Sequence, residues 1–271
     1  MPLDVLLDPP APPRPRLVIP GPALAVLAGA LGAAIAAAWL GELPWTVVNV
    51  VAVPATHGAL LTIALAGADP RWPAHAAWLV ALLGAAALAT AWSAWGALVY
   101  LAVPVALIAA AVREPGLGAL GLRRPDSWAT ALAGLGAGLL LGAHLLFTAP
   151  RAFGYEVRFF PLDRYLPALA YDAGANVLSA ECFFRGVIFN HAHRRGPFSG
   201  AAALATAAFL VRHLVDPALP HAVETIVGAT FYLTLLGVTS CALFWRSGSL
   251  LPGALAGLGF FGAYRALAGW W

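Results

Sequence analysis

The fold class this sequence predicts is an all-α, polytopic transmembrane bundle of eight to nine spans, and three observations predict it. Apolar runs of about 20 residues recur along the whole chain, each long enough to cross a hydrocarbon core of about 30 Å. The chain is 61% hydrophobic. Its charged residues make up 10%, against about 25% in an ordinary soluble domain. A transmembrane β-barrel would instead show short alternating segments.

Charge and cysteine content narrow the function classes. The net charge is +3 and all 15 basic residues are arginine. They gather at the ends of apolar runs, so the sign reports membrane orientation and no nucleic-acid partner is expected. The two cysteines, Cys182 and Cys241, both fall inside apolar runs, which does not indicate a disulfide framework. The N-terminus is proline-rich and places Asp4 and Asp8 before its first arginine. It lacks the basic start and short apolar core of a signal peptide. Residues 1–16 read as a tail leading into a retained first span.

The spans follow in order. The first runs from about Leu17 to Leu40, and Gly41 to Pro44 turns the chain. The second, about Trp45 to Gly67, contains Pro54 and His57. Ala76 to Val112 is too long for one crossing and is expected to break near Ser93–Gly96 into spans three and four. A polar segment from Arg113 to Asp126 follows. The fifth span, about Trp128 to Thr148, carries Gly134, Gly136, Gly138 and Gly142, which allow close approach of a neighbouring helix. Ala149 to Pro167 is expected to be the longest polar connection. The sixth span runs from about Ala168 to Asn190 and ends in His191-Ala192-His193-Arg194-Arg195. The seventh spans about Phe198 to His213, with a turn at Val215 to Pro220. The eighth runs from about His221 to Phe244, and the ninth from about Leu250 to Ala268.

With nine spans starting inside, Arg14/Arg16, Arg71, Arg113/Arg123/Arg124, Arg194/Arg195 and Arg246 all fall on the cytoplasmic side, as the positive-inside rule asks. The connection with Arg151, Arg158 and Arg164 falls outside and breaks the rule. The expected location is an integral membrane protein of a bacterial cytoplasmic membrane, with the N-terminus inside.

Within the sixth span, Ser179-Ala180-Glu181-Cys182-Phe183-Phe184-Arg185-Gly186 stands out. Glu181 reads as the one carboxylate set deep in an apolar run. A charge at the bilayer centre costs about 2.5–3.5 kcal/mol on insertion scales, so such a residue is a functional-site candidate. Arg185 lies one helical turn on, on the same face. The pair is either an intramembrane ion pair that fixes packing, or a carboxylate held in a hydrated cavity to activate water. His213 ends the seventh span after Arg212. It is either a residue at headgroup level or a proton-transfer partner facing Glu181 across neighbouring helices.

Together these motifs carry a resemblance. Glu181-x-x-x-Arg185-Gly186, then Phe209-Leu210-Val211-Arg212-His213, then Trp245-Arg246-Ser247-Gly248-Ser249-Leu250 before a last apolar helix resembles the CAAX-processing and bacteriocin-processing (CPBP, or Abi) intramembrane protease family. Gly121-Leu122-Arg123-Arg124-Pro125 before a helix is similar to that family's layout. The resemblance covers about Arg113 to the C-terminus. It implies N-terminal transmembrane helices over 17–112 and a protease core over 113–271. It implies an endopeptidase acting on a membrane-anchored or lipidated polypeptide. In the family's glutamic-type mechanism a Glu and a His activate water, and a second His and an Asn stabilise the oxyanion. The resemblance puts Glu181 and Arg185 on the family's second Glu and its Arg, mainly structural positions, and His213 on a usual catalytic one; Glu181 and His213 are the catalytic candidates, and Arg185 and Phe209 the supporting residues.

The departures are specific. The family's usual water-activating Glu falls on Ala180, its second His on Gly257 and its Asn on Phe261. On a helix of 3.6 residues per turn, Glu181 is rotated by about 100° from position 180. Other polar residues are candidates for the same cavity. Cys182, His221 and Glu224 are possible lining residues, and Cys182 with His213 would make a Cys/His pair. His57 and His144 read as packed, hydrogen-bonded histidines. No His-Glu-x-x-His pair is present, so no cofactor is expected, with a divalent metal such as zinc left open. Two functions are carried forward. One is an intramembrane endopeptidase with a divergent site. The other is a pseudoprotease on the same fold that binds membrane segments without cutting. A transporter would show two related halves, and no internal symmetry is evident.

Overall fold

The structure is a computed structural model and describes residues 17–125, 127–214 and 223–267. The chain winds into nine helical rods among these residues, and each apolar run supplies one. Helix α1 is Gly21–Trp39, α2 Trp45–Ala68 and α3 Trp72–Trp92. A 3-10 segment, Ala94–Leu101, leads into α4, Ala102–Arg113. Helix α5 is Trp128–Phe153. Helix α6 runs unbroken over 162–193. Helix α7 is Phe198–Leu214, α8 Val223–Ser247 and α9 Leu251–Tyr264. Among the described residues, six stretches are long and apolar enough to cross a membrane by length and composition; α7 and α9 are shorter apolar helices. This is an integral membrane protein of all-α class.

Local chemistry sets the ends. Ser127 caps α5, its hydroxyl accepting the Ala129 amide at 3.1 Å. Gly154 ends the same helix in the left-handed conformation, at φ +70°, which glycine adopts without a Cβ penalty. Trp39, Trp45, Trp92 and Trp128 stand exposed at helix ends, as an interfacial aromatic belt requires. The break expected near Ser93–Gly96 falls at Ser93.

Two expectations are corrected. The connection placed at Ala149 to Pro167 shrinks to 154–161, because α5 continues through Pro150 to Phe153 and α6 starts at Leu162. Proline interrupts one helical hydrogen bond without ending a helix that its neighbours hold. Glu181 is also not the sole deep carboxylate, since Asp172 on the same helix is fully buried. The tail 1–16, the turn at Val215 to Pro220, and His221 lie outside the described residues.

Packing follows side-chain size. Gly134, Gly138 and Gly142 of α5 lie against Pro252, Ala256 and Gly259/Ala263 of α9, so close that any Cβ would meet backbone or the Ala263 methyl. Gly136 faces open space. Small residues let two helices approach in lipid, where dispersion replaces the hydrophobic effect between spans. Helix α6 stands between two apolar clusters. One includes Leu61, Leu83, Leu107, Cys182, Phe189 and Cys241. The other includes Val177, Ala180, Phe184, Phe209, Phe260 and Phe261.

Two motifs distant in sequence tie together at one end of the bundle. The Leu250 amide donates to the Gly121 carbonyl at 2.9 Å. Arg123 donates to the Gly248 carbonyl at 3.0 Å and to that of Ser247 at 3.2 Å, and the Ser249 hydroxyl donates to the Arg123 carbonyl at 2.7 Å. Asn190 at the end of α6 donates to the Ala119 carbonyl at 3.0 Å. The α4–α5 connection, the end of α6 and the α8–α9 turn therefore share one membrane side.

Candidate site on the sixth helix

Helix α6 carries polar residues on two faces, and its own geometry separates them. The helix widens into π turns at Asp172–Asn176 and Glu181–Phe189. Such turns are rare and concentrate at functional sites. Positions 172, 176 and 179 fall on one stripe, and 181 and 185 on another.

Glu181 and Arg185 form the pair their spacing predicts. Arg185 Nη1 lies 3.5 Å from Glu181 Oε1, and the two side chains are 0% and 5% exposed. Arg185 Nη2 donates to the Gly237 carbonyl of α8 at 3.3 Å. Its guanidinium also sits 4.5 Å from the centre of the Phe209 ring, a cation–π contact worth most when desolvated. Glu181 Oε2 points at Gly253 of α9, where a Cβ would collide with it.

His213 also packs against Phe209. The two rings meet edge to face at 4.4 Å, so Phe209 contacts both the Arg185 guanidinium and the imidazole. His213 Nδ1 donates to the Phe209 carbonyl at 2.9 Å. Arg212 Nη1 lies 3.0 Å from His213 Nε2. Arginine has no acceptor, so Nε2 is the accepting nitrogen. Phe261 then stacks on the imidazole at 5.9 Å and 16°. Phe261 occupies the position where the resemblance expects an Asn. A Cβ at Gly257, where a His is expected, would touch Val177. Ala180, where the acid is expected, is 3% exposed and belongs to the same apolar cluster as Val177, Phe209 and Phe261.

The other proposed lining residues lie apart from the imidazole. Cys182 is 1% exposed and packs in the opposite apolar cluster. Glu224 is exposed at the start of α8. Among the described residues, no three His, Cys, Asp or Glu side chains gather where a metal could sit.

A second polar group on α6 went unnoticed at the level of sequence. Asp172 accepts both ends of the Arg265 guanidinium, at 3.0 and 2.9 Å. Asn176 donates to Asp172 at 3.2 Å and accepts Arg212 Nη1 at 3.1 Å. Arg212 Nη2 donates to His57 Nδ1 at 3.3 Å. The Ser179 hydroxyl lies 2.9 Å from the same nitrogen, and Tyr171 lies 2.9 Å from His57 Nε2. His57 and His144 are thus hydrogen-bonded, His144 to Tyr232 at 2.8 Å. Polar residues at 172, 176 and 179 inside an apolar run were the available signal, since steps of four and three keep one helix face.

Comparison with known proteins supplies one match. Residues 163–259 match the sequence model of the family described as type II CAAX prenyl endopeptidase Rce1-like. No curated protein and no solved structure matches the chain. The matched segment holds Glu181, Arg185, His213 and Gly257; Phe261 and the Gly121–Arg124 motif lie beyond it, the motif bonded to the segment through Leu250 and Gly248. Over residues 163–259, this membrane protein carries the sequence pattern of the Rce1-like CAAX endopeptidases, within the intramembrane protease group that its motifs resemble.

Proposed function

We propose that this chain is a CAAX-endopeptidase-type membrane protein that holds a membrane-anchored or lipidated polypeptide without cutting it. One observation carries the reading: both ring nitrogens of His213 are engaged within the protein. Phe261 lies near-parallel to the imidazole with ring centres 5.9 Å apart, Phe209 meets the ring at 4.4 Å, and Arg212 occupies the Nε2 lone pair. A general base needs that lone pair within reach of the proton it takes. The positions for the acid and both oxyanion donors are Ala180, Gly257 and Phe261. Losing one oxyanion donor typically costs about 10²–10³ in rate. The arginine-rich connections support a bacterial cytoplasmic membrane with the N-terminus inside.

A second reading rests on Glu181. Its Oε2 and the Ser240 hydroxyl are buried without a protein hydrogen-bond partner. A carboxylate with a free oxygen favours hydrolysis through water at Glu181 in place of the family's site.

Co-expression with two defined reporters, one prenylated and one held by a single transmembrane helix, tests both. The binding reading expects reporters of full length that cross-link to the wild-type chain in membranes. Shortening of either reporter by wild type would overturn it. If Glu181→Gln then abolishes that shortening while His213→Ala does not, the second reading holds.

A further inference from the structure

The end of the bundle where Gly121 bonds Leu250 gathers arginine from three connections. Arg124 precedes α5, Arg195 lies between α6 and α7, and Arg246 is at the end of α8; all three are exposed. Contacts of their neighbours hold them on one rim. Arg123 bonds the Ser247 and Gly248 carbonyls, which sets Arg124 beside the end of α8. Trp245, next to Arg246, packs on Phe198 at 4.9 Å and meets His193 at 6.3 Å between ring centres. The turn at 194–197 therefore reaches the same place.

The rim has no counter-charge of its own. Residues 115–125, 182–215 and 225–271 contain no Asp or Glu. Four other arginines face a carboxylate. Arg71 meets Glu114 at 3.1 Å, Arg158 meets Glu156 at 2.6 Å, Arg185 meets Glu181 at 3.5 Å and Arg265 meets Asp172 at 2.9 Å. Arg124, Arg195 and Arg246 take part in no ion pair among the described residues. Three exposed cations on one acid-free rim call for an anion from outside the chain.

Their height in the membrane selects that anion. Trp128, 68% exposed, starts α5 just after Arg124, and the half-buried Trp245 adjoins Arg246. Indole rings settle at headgroup level, so these guanidiniums lie where lipid phosphates lie. A guanidinium takes a phosphate through two parallel N–H bonds. Basic pockets between spans suit headgroups of net negative charge, whereas a zwitterionic headgroup brings its own cation to the arginines. We propose that Arg124, Arg195 and Arg246 form a docking surface for the headgroup of an anionic phospholipid, with Trp245 and Phe198 packed beside it. The surface is separate from Glu181 and His213 and stands whether or not a polypeptide is cut.

Native mass spectrometry of the full chain in neutral detergent, titrated with phosphatidylglycerol or phosphatidylcholine of matched acyl chains, reads lipid retention. Phosphatidylglycerol should bind more tightly, in a saturable step. Arg124→Gln, Arg195→Gln and Arg246→Gln should each weaken that step about fivefold. Arg158→Gln/Arg164→Gln, which removes two exposed arginines from the opposite end, should leave it unchanged. Melting curves without added lipid identify the variants that fold, and where one does not, the other two carry the comparison. Equal retention of the two lipids, or equal weakening by the opposite-end variant, overturns the proposal. Inorganic phosphate or a polyglutamate peptide that binds through the same three arginines and excludes phosphatidylglycerol gives the surface another occupant and overturns it as well.

Discussion

Phe261 lies near-parallel to His213, ring centres 5.9 Å apart and planes 16° from parallel. The imidazole is clamped between α7 and α9 and bonded through both nitrogens. His213→Ala therefore removes packing and leaves the Phe209 carbonyl and Arg212 each short of a partner. The expected loss is about 1–3 kcal/mol, read as a lower melting temperature in detergent. An unchanged melting curve would mean that the imidazole is loosely held.

The buried pair predicts a sharper result. Removing one partner of a buried ion pair typically costs about 3–5 kcal/mol, while replacing both by apolar groups is often neutral. Arg185→Ala should strongly reduce folded protein, and Glu181→Gln combined with Arg185→Met should recover much of it. Normal yield and melting of Arg185→Ala would remove the pair's structural role.

Glycine positions on α5 separate contact from composition. Gly138→Ala drives a methyl into the α9 backbone at Ala256. Overpacking of this kind costs about 1–3 kcal/mol. Gly136→Ala points into open space and should be neutral or slightly stabilising. Thermal melting of the two variants should diverge; equal behaviour would contradict the α5–α9 contact.

Bonds between connections make a topology prediction. Exposed Arg124, Arg195 and Arg246 sit on the side where Gly121 bonds Leu250 and Asn190 bonds Ala119. Arg158, bonded through its amide to the Ala266 carbonyl at 2.8 Å, lies at the opposite end of α6. Cysteines placed at 124, 195 and 246 should react together with an impermeant maleimide in inverted vesicles. A cysteine at 158 should react in intact cells. Cys182 and Cys241 are buried and give little background. Any mixed pattern among the first three breaks the nine-rod arrangement.

How much was legible in the residues differs from element to element. The nine rods were readable because a bilayer demands long apolar runs, and composition alone meets that demand. The Glu181–Arg185 pair was readable because one helical turn sets it. The α5 glycines pointed to a close helix contact, with the register left open. The end of α5 and the start of α6 were misplaced because Arg151, Asp163 and Arg164 read as a polar connection, while the structure keeps them, with Pro150 and Pro167, in helix. Asp172 was passed over because its partner, Arg265, lies 93 residues away.

The sequence by itself determined the class, the order of the spans, the pair on α6 and the family pattern over 163–259, since each depends on local composition or short spacing. The tertiary structure decided what faces what. It packed Phe209 against both Arg185 and His213, set Phe261 near-parallel to the imidazole and joined Asp172, Asn176, Arg212 and His57 into one network. Those relationships depend on the packing of α2, α6, α7 and α9. The facing of one helix toward another is a property of side-chain volumes meeting across the bundle, and no run of residues within a single helix encodes it.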